Sequence, residues 1–146
     1  MIWRAERKIA NGEYVGYWVI SRIKGEKGES VSASYLLDVS NQGAYLDDTS
    51  QQDDLNAAAT NKITLKKEVD KVVQTIQSKL KIIGYRLPDE ISIKIENNVI
   101  DRQYLENYEH TGNTHTISLV LNNNATTITE GKYYYEYEIY DINQPD

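Results

Sequence analysis

Two segments of this chain alternate apolar and polar residues so strictly that a half-buried β-strand is the conformation that fits them. In Glu90–Glu96 the apolar positions are Ile91, Ile93 and Ile95, with Ser92 and Lys94 between them. In Lys132–Ile142 the positions Tyr133, Tyr135, Tyr137 and Ile139 share one phase, and Tyr134, Glu136, Glu138 and Tyr140 the other. Successive strand side chains point to opposite faces, so each segment has one face for a core and one for water. Asn113–Leu121 repeats the pattern, with His115, Ile117, Leu119 and Leu121 in phase. Ser34–Asn41 is a further strand, and Asn97-Asn98 and Asn122-Asn123-Asn124 are polar turns. Short strands at regular spacing predict a mainly β chain, with an immunoglobulin-like β-sandwich over residues 34–146. The cysteine pair and core Trp of antibody domains are absent, so the expectation concerns architecture alone.

Ile63–Ile83 is where two secondary structures compete. Leu65, Val69, Val72, Ile76, Lys79 and Ile83 fall at helical spacing, which supports an α+β alternative with an amphipathic helix near 64–83. The same segment is dense in β-branched residues, which favour strands. On that reading Ile63, Leu65 and Val69 form one strand, Asp70-Lys71 turns the chain, and Val72–Ile76 returns. Leu80–Tyr85 is then a further strand, ending before Pro88.

The chain has 146 residues, enough to bury a core without a disulfide or metal, and no cysteine with which to make either from thiolates. Its net charge of −6 argues against a broad phosphate-binding surface and hence against nucleic acid as partner. No apolar run approaches the ~20 residues of a membrane-spanning helix, so membrane insertion is not expected, and Met1–Ala10 lacks the apolar segment of a secretory signal. Twelve Tyr and two Trp stand against no Phe. Tyr joins an apolar body to a polar tip, suiting half-buried sheet faces and wet interfaces. The strand bearing Tyr133, Tyr135 and Tyr137 is therefore a candidate ligand or partner surface.

The chain divides on paper into a β-hairpin over 1–24, a linker over 25–33 and the sandwich. Asn11-Gly12 between alternating runs is a strong hairpin signal, pairing Ile2–Ala10 with Tyr14–Lys24. Trp3 and Trp18 would staple that hairpin. The linker contains Gly25-Glu26-Lys27-Gly28-Glu29-Ser30, two Gly-X-Y triplets. Glycine at every third position matters because only glycine fits the axis of a three-chain helix. Gly25 and Gly28 are thus candidate oligomerisation residues.

A search for chemistry finds no catalytic constellation, metal site or cofactor motif. Asp47, Asp48, Asp53 and Asp54 supply calcium-type oxygens, but the spacing departs from the EF-hand pattern. A solvated loop with a small helix around Leu55–Ala59 fits better. His110 and His115 lack the further ligands a zinc site needs and are expected to be polar and solvent-facing. Glu136 and Glu138 sit about 7 Å apart on one strand face, a separation any outward-alternating strand would give. The expectation is a protein that is not an enzyme and carries no cofactor.

The succession of Trp3–Lys24, Gly25–Ser30 and Ser34-Tyr35-Leu36-Leu37-Asp38-Val39-Ser40-Asn41 resembles a module junction in tail-fibre proteins of phages and prophages of gut bacteria, Bacteroidales above all. In those fibres, sheet modules alternate with short collagen-like spacers and immunoglobulin-like sandwiches. The closing Gly131–Glu138 is similar to final strands of phage baseplate and fibre domains. The resemblance implies a virion structural protein of the phage tail, made in the bacterial cytoplasm and acting in assembly or host attachment. Its implied partners are itself, as a homotrimer, other tail proteins, and a host surface glycan. Two other classes stay open. One is a carbohydrate-binding module using Trp3, Trp18 and the Tyr133–Tyr140 strand for stacking. The other is a cytoplasmic α+β adaptor built on a helix from Leu65 to Ile83.

Overall fold

A computed structural model describes residues 15–23, 33–46, 48–122 and 125–143. In chain order the elements are β1 (Val15–Ile23), β2 (Ala33–Val39), β3 (Gly43–Leu46), α1 (Gln52–Ala59), β4 (Asn61–Val69), β5 (Val72–Thr75) and β6 (Ser78–Arg86). Then follow β7 (Ile91–Ile95), β8 (Asn98–Val99), α2 (Arg102–Leu105), β9 (Glu109–Gly112), β10 (His115–Leu121) and β11 (Gly131–Asp141). The strands make two sheets. One has the order β3-β1-β11-β6-β9, the other β2-β4-β10-β7-β8, with β5 paired to β4 as well. The fold is mainly β, as the alternation predicts, and the two sheets form a β-sandwich.

The core lies between them and is built from one phase of each strand. Tyr133, Tyr135, Tyr137 and Ile139 of β11 and Leu80 and Ile82 of β6 face Ile63 and Leu65 of β4, Ile91, Ile93 and Ile95 of β7, and Ile117 and Leu119 of β10; all are buried. Burying each such side chain is worth roughly 1.5–3 kcal/mol, so this interior is the main source of stability. Helix α1 closes one end with Leu55 and Ala59. Its residues Gln52–Ala59 combine an alanine run with Asp53 and Asp54 in the first turn, where carboxylates favour the helix dipole. Asp54 also accepts the Gln51 N–H at 2.8 Å.

The contested stretch is a β-hairpin. β4 and β5 pair around Asp70-Lys71, with Val69 opposite Val72. Asp70 and Lys71 have φ of 53° and 68°, the left-handed values that a tight two-residue hairpin turn demands. β6 follows as a separate strand, so the amphipathic helix near 64–83 is overturned, and the adaptor reading loses the helix it was built on. The β-branched density of the segment outweighed its helical spacing. The polar stretch before it resolves into β3 and α1. The turn after β7 is made by Glu96 and Asn97, one residue earlier than the asparagine pair, since Ile95 pairs with Asn98.

The N-terminal organisation also differs from the expectation. β1 runs parallel to β11 over nine residue pairs, from Val15 beside Gly131 to Ile23 beside Ile139. Its other edge is taken by β3 over Val15–Trp18. With both edges occupied there, β1 is an inner strand of the sandwich and not one arm of a separate hairpin; the arm Ile2–Ala10 lies outside the described residues. β1 and β2 belong to different sheets of one sandwich. The Gly-X-Y stretch therefore connects two strands of a single domain, where a spacer between modules was expected. Gly25 and Gly28 themselves lie outside the described residues, and Ala33, the end of the expected linker, begins β2.

Candidate functional site

The chemistry-bearing side chains concentrate between the sheets as polar bridges. Asn61, fully buried on β4, donates from Nδ2 to Tyr135 Oη at 3.1 Å, and its Oδ1 accepts from the Asn41 N–H at 3.0 Å. Asp141, 3% exposed at the end of β11, accepts from Tyr35 Oη at 3.0 Å and from Lys67 Nζ at 3.4 Å. Tyr137 accepts from Ser21 Oγ at 2.8 Å. Burial pushes the Tyr137 phenol well above its ordinary range, and the Ser21 hydrogen bond pulls the other way. Buried polar groups need partners to offset lost hydration; the Asn61–Tyr135 and Asp141 bridges tie one sheet to the other at fixed points, whereas Ser21–Tyr137 joins neighbouring strands of one sheet.

The most concentrated cluster involves both histidines. His115 Nε2 is 2.8 Å from Ser78 Oγ on β6. The Ser78 hydroxyl donates to the Gly112 carbonyl at 3.3 Å. His115 Nδ1 faces His110 Nδ1 at 2.6 Å, with the rings edge-to-face at 4.8 Å between centroids. His110 Nε2 lies 3.8 Å from Glu96 Oε2, and that carboxylate oxygen also accepts the Thr116 N–H at 2.7 Å. The order Ser78–His115–His110–Glu96 has the donor and acceptor types of a proton relay. Yet Ser78 and His115 are 0% exposed, so the hydroxyl cannot meet a substrate where it stands. Desolvation, then the adjacent His110, lowers the His115 pKa to about 4.

The histidines were expected to face solvent, and His115 does not. Its phase held the signal, because it alternates with Ile117 and Leu119, which are core residues. The pairing with His110 depends on β9 and β10 lying in different sheets, which local sequence does not encode.

A shallow cleft of about 410 Å³ opens between β3 and α1, lined by Tyr45, Leu46, Thr49, Ser50, Asp54, Ala57 and Ala58. Among the described residues no group of three or more His, Asp or Glu could hold a metal ion.

Tyr133, Tyr135 and Tyr137 are 7%, 1% and 0% exposed, which overturns their role as a partner surface. The opposite phase of β11 carries Glu136 and Glu138, so the tyrosine phase had to turn inward. Glu136 instead forms an ion pair with Arg22 across the sheet. Trp18 stands in β1 with its backbone beside Gly43 and Tyr134. Trp3, Gly25 and Gly28 lie outside the described residues. No protein-family model, curated protein or solved structure matches this chain. No helix among the described residues is long and apolar enough to cross a membrane.

Proposed function

We propose that this chain is a structural module of an extended assembly of the phage tail-fibre type, in which the sandwich lies in line with the fibre and associates with copies of itself. The observation that supports this reading is the direction of β1 and β11. Because they are parallel neighbours, the chain enters β1 at one pole of the sandwich and leaves β11 at the opposite pole. The eleven residues of β11 span roughly 35 Å at strand rise. Chain ends of a domain are often close together; ends at opposite poles suit a unit strung along an axis. Tension drawn between Val15 and Asp141 would pull the two strands along their length in opposite senses. All nine paired positions would then resist together in shear, instead of parting one hydrogen bond at a time.

Self-association as a trimer, host-glycan contact and a virion location rest on the resemblance. The aromatic strand proposed for glycan stacking is buried, so the carbohydrate-binding reading through Tyr133, Tyr135 and Tyr137 is not retained. Light scattering on the full chain tests assembly: a mass three times the 16.8 kDa of one chain is expected, and a monomer at every concentration would overturn it. Immunogold microscopy on particles induced from the host that carries the gene tests location. Label along tail fibres is expected, whereas antigen confined to the cell lysate and absent from particles would refute the virion role.

A further inference from the structure

We propose that the His110–His115 pair is an acid-operated latch on β9, holding this edge strand to the sandwich while the two facing nitrogens share one proton and releasing it when each carries its own. The protons available to the cluster fix the direction of each of its hydrogen bonds. The Gly112 carbonyl can only accept, so the Ser78 hydroxyl spends its single hydrogen there. Ser78 Oγ must then accept from His115 Nε2–H. A neutral His115 protonated on Nε2 presents a bare Nδ1, and His110 Nδ1–H fills it across 2.6 Å.

A first added proton has a place to go. It enters at His110 Nε2, which faces the Glu96 carboxylate at 3.8 Å, and every bond above survives. A second proton has none. It would set N–H against N–H across 2.6 Å and put a second positive charge on a ring that is 0% exposed. Separation of the rings relieves both problems, and β9 is the part able to move. It is four residues long, pairs among the described residues with β6 alone, and sits at the sheet edge.

Among the described residues the surrounding charges do not supply an alternative acceptor. On β6, Lys79 is engaged with Glu109 of β9 at 3.5 Å, and Lys81 sits beside Glu109 in register. On β11, Asp141 lies beside Ser78 in register but is held by Lys67 and Tyr35. On β4, the residue opposite His115 is the apolar Ile63. Glu96 faces His110 and not His115. With β9 swung away, His115 sheds the adjacent His110 and part of the burial that lowers its proton affinity, which moves toward the ordinary 6.5. Closed, its value is about 4. Acid therefore favours the open form progressively between those limits, by up to roughly 100-fold in the opening equilibrium.

Hydrogen exchange of the full chain, corrected for the intrinsic pH dependence of exchange, tests the latch at pH 7, 5.5 and 4. The expected result is a loss of protection of roughly 10- to 100-fold confined to Glu109–Gly112 and the facing β6 amides, and no such loss in His115→Gln. An unchanged pH response in His115→Gln, or full protection of β9 at pH 4 in the native chain, overturns the proposal. Should His115→Gln fail to fold, imidazole ¹⁵N shifts of the native chain decide. One ring keeping its Nε2-protonated neutral pattern down to near pH 4 sustains the latch, and two rings titrating independently near 6.5 refute it.

Discussion

Asn61 shows how single residues bind the two sheets. Its amide is fully buried, and three groups depend on it: Tyr135 Oη, the Asn41 N–H and Ser40 Oγ. Asn61→Ala takes the acceptor from a backbone N–H and one donor from the tyrosine, and leaves a small void. The expected cost is about 2–3 kcal/mol in urea unfolding, and Tyr135→Phe, which removes only the far end of one bond, should cost about 1 kcal/mol. His115 adds a pH term. Its folded-state pKa of about 4 lies below the ordinary 6.5, so the unfolded chain takes up the proton first. Stability from this group is whole above pH 6.5, is lost as pH falls toward 4, and levels off below; the total is about 3 kcal/mol. Urea midpoints at pH 7 and pH 4 should show that this component is missing in His115→Gln. At this scale alternation told which side chains share a face but not which face is inside. The charged pair Glu136 and Glu138 was the better guide on β11, and the inward phase of His115 was readable beside Ile117 and Leu119.

Between residues and fold stand the turns and ladders that decide register. Asp70 and Lys71 both adopt left-handed φ, a conformation Asp tolerates through local hydrogen bonding but Lys resists because of its Cβ. Lys71→Gly should stabilise the protein by about 0.5–1 kcal/mol, seen as a raised thermal midpoint, whereas Lys71→Val should lower it. Helix α1 is set by a different device. β4 covers β10 only from His115 to Ile117, and beyond that the Gln52 side chain continues the ladder. Its Nε2 donates to the Leu119 carbonyl at 3.0 Å and its Oε1 accepts the Leu121 N–H at 2.9 Å. The strand reading of 63–83 was legible because Asp-Lys between β-branched runs is turn chemistry. A glutamine amide standing in for a missing strand was not, since nothing local marks Gln52 among its polar neighbours.

For the molecule as a whole, strands were legible and their pairing was not. β1 and β2, β2 and β3, β3 and β4, β5 and β6, β6 and β7, β8 and β9, β9 and β10, and β10 and β11 are successive strands that lie in opposite sheets. Local signals such as Asn-Gly suggest neighbours in sequence, whereas this fold pairs Val15 with Gly131. The proposed in-line role relies on that same distant closure. Val19 N–H points to Gln42 O on the β3 side, and strand alternation therefore turns the Ile20 N–H toward β11. Ile20→Pro removes a donor from the β1–β11 ladder without touching β3. Under single-molecule pulling through handles at the β1 start and β11 end, the native domain should resist with several-fold more force than when one handle is moved to Gly112, where β9 would peel from β6. Ile20→Pro should weaken only the first geometry. Equal forces in both geometries would mean that the parallel strands do not bear the load, and the in-line role would lose its physical basis.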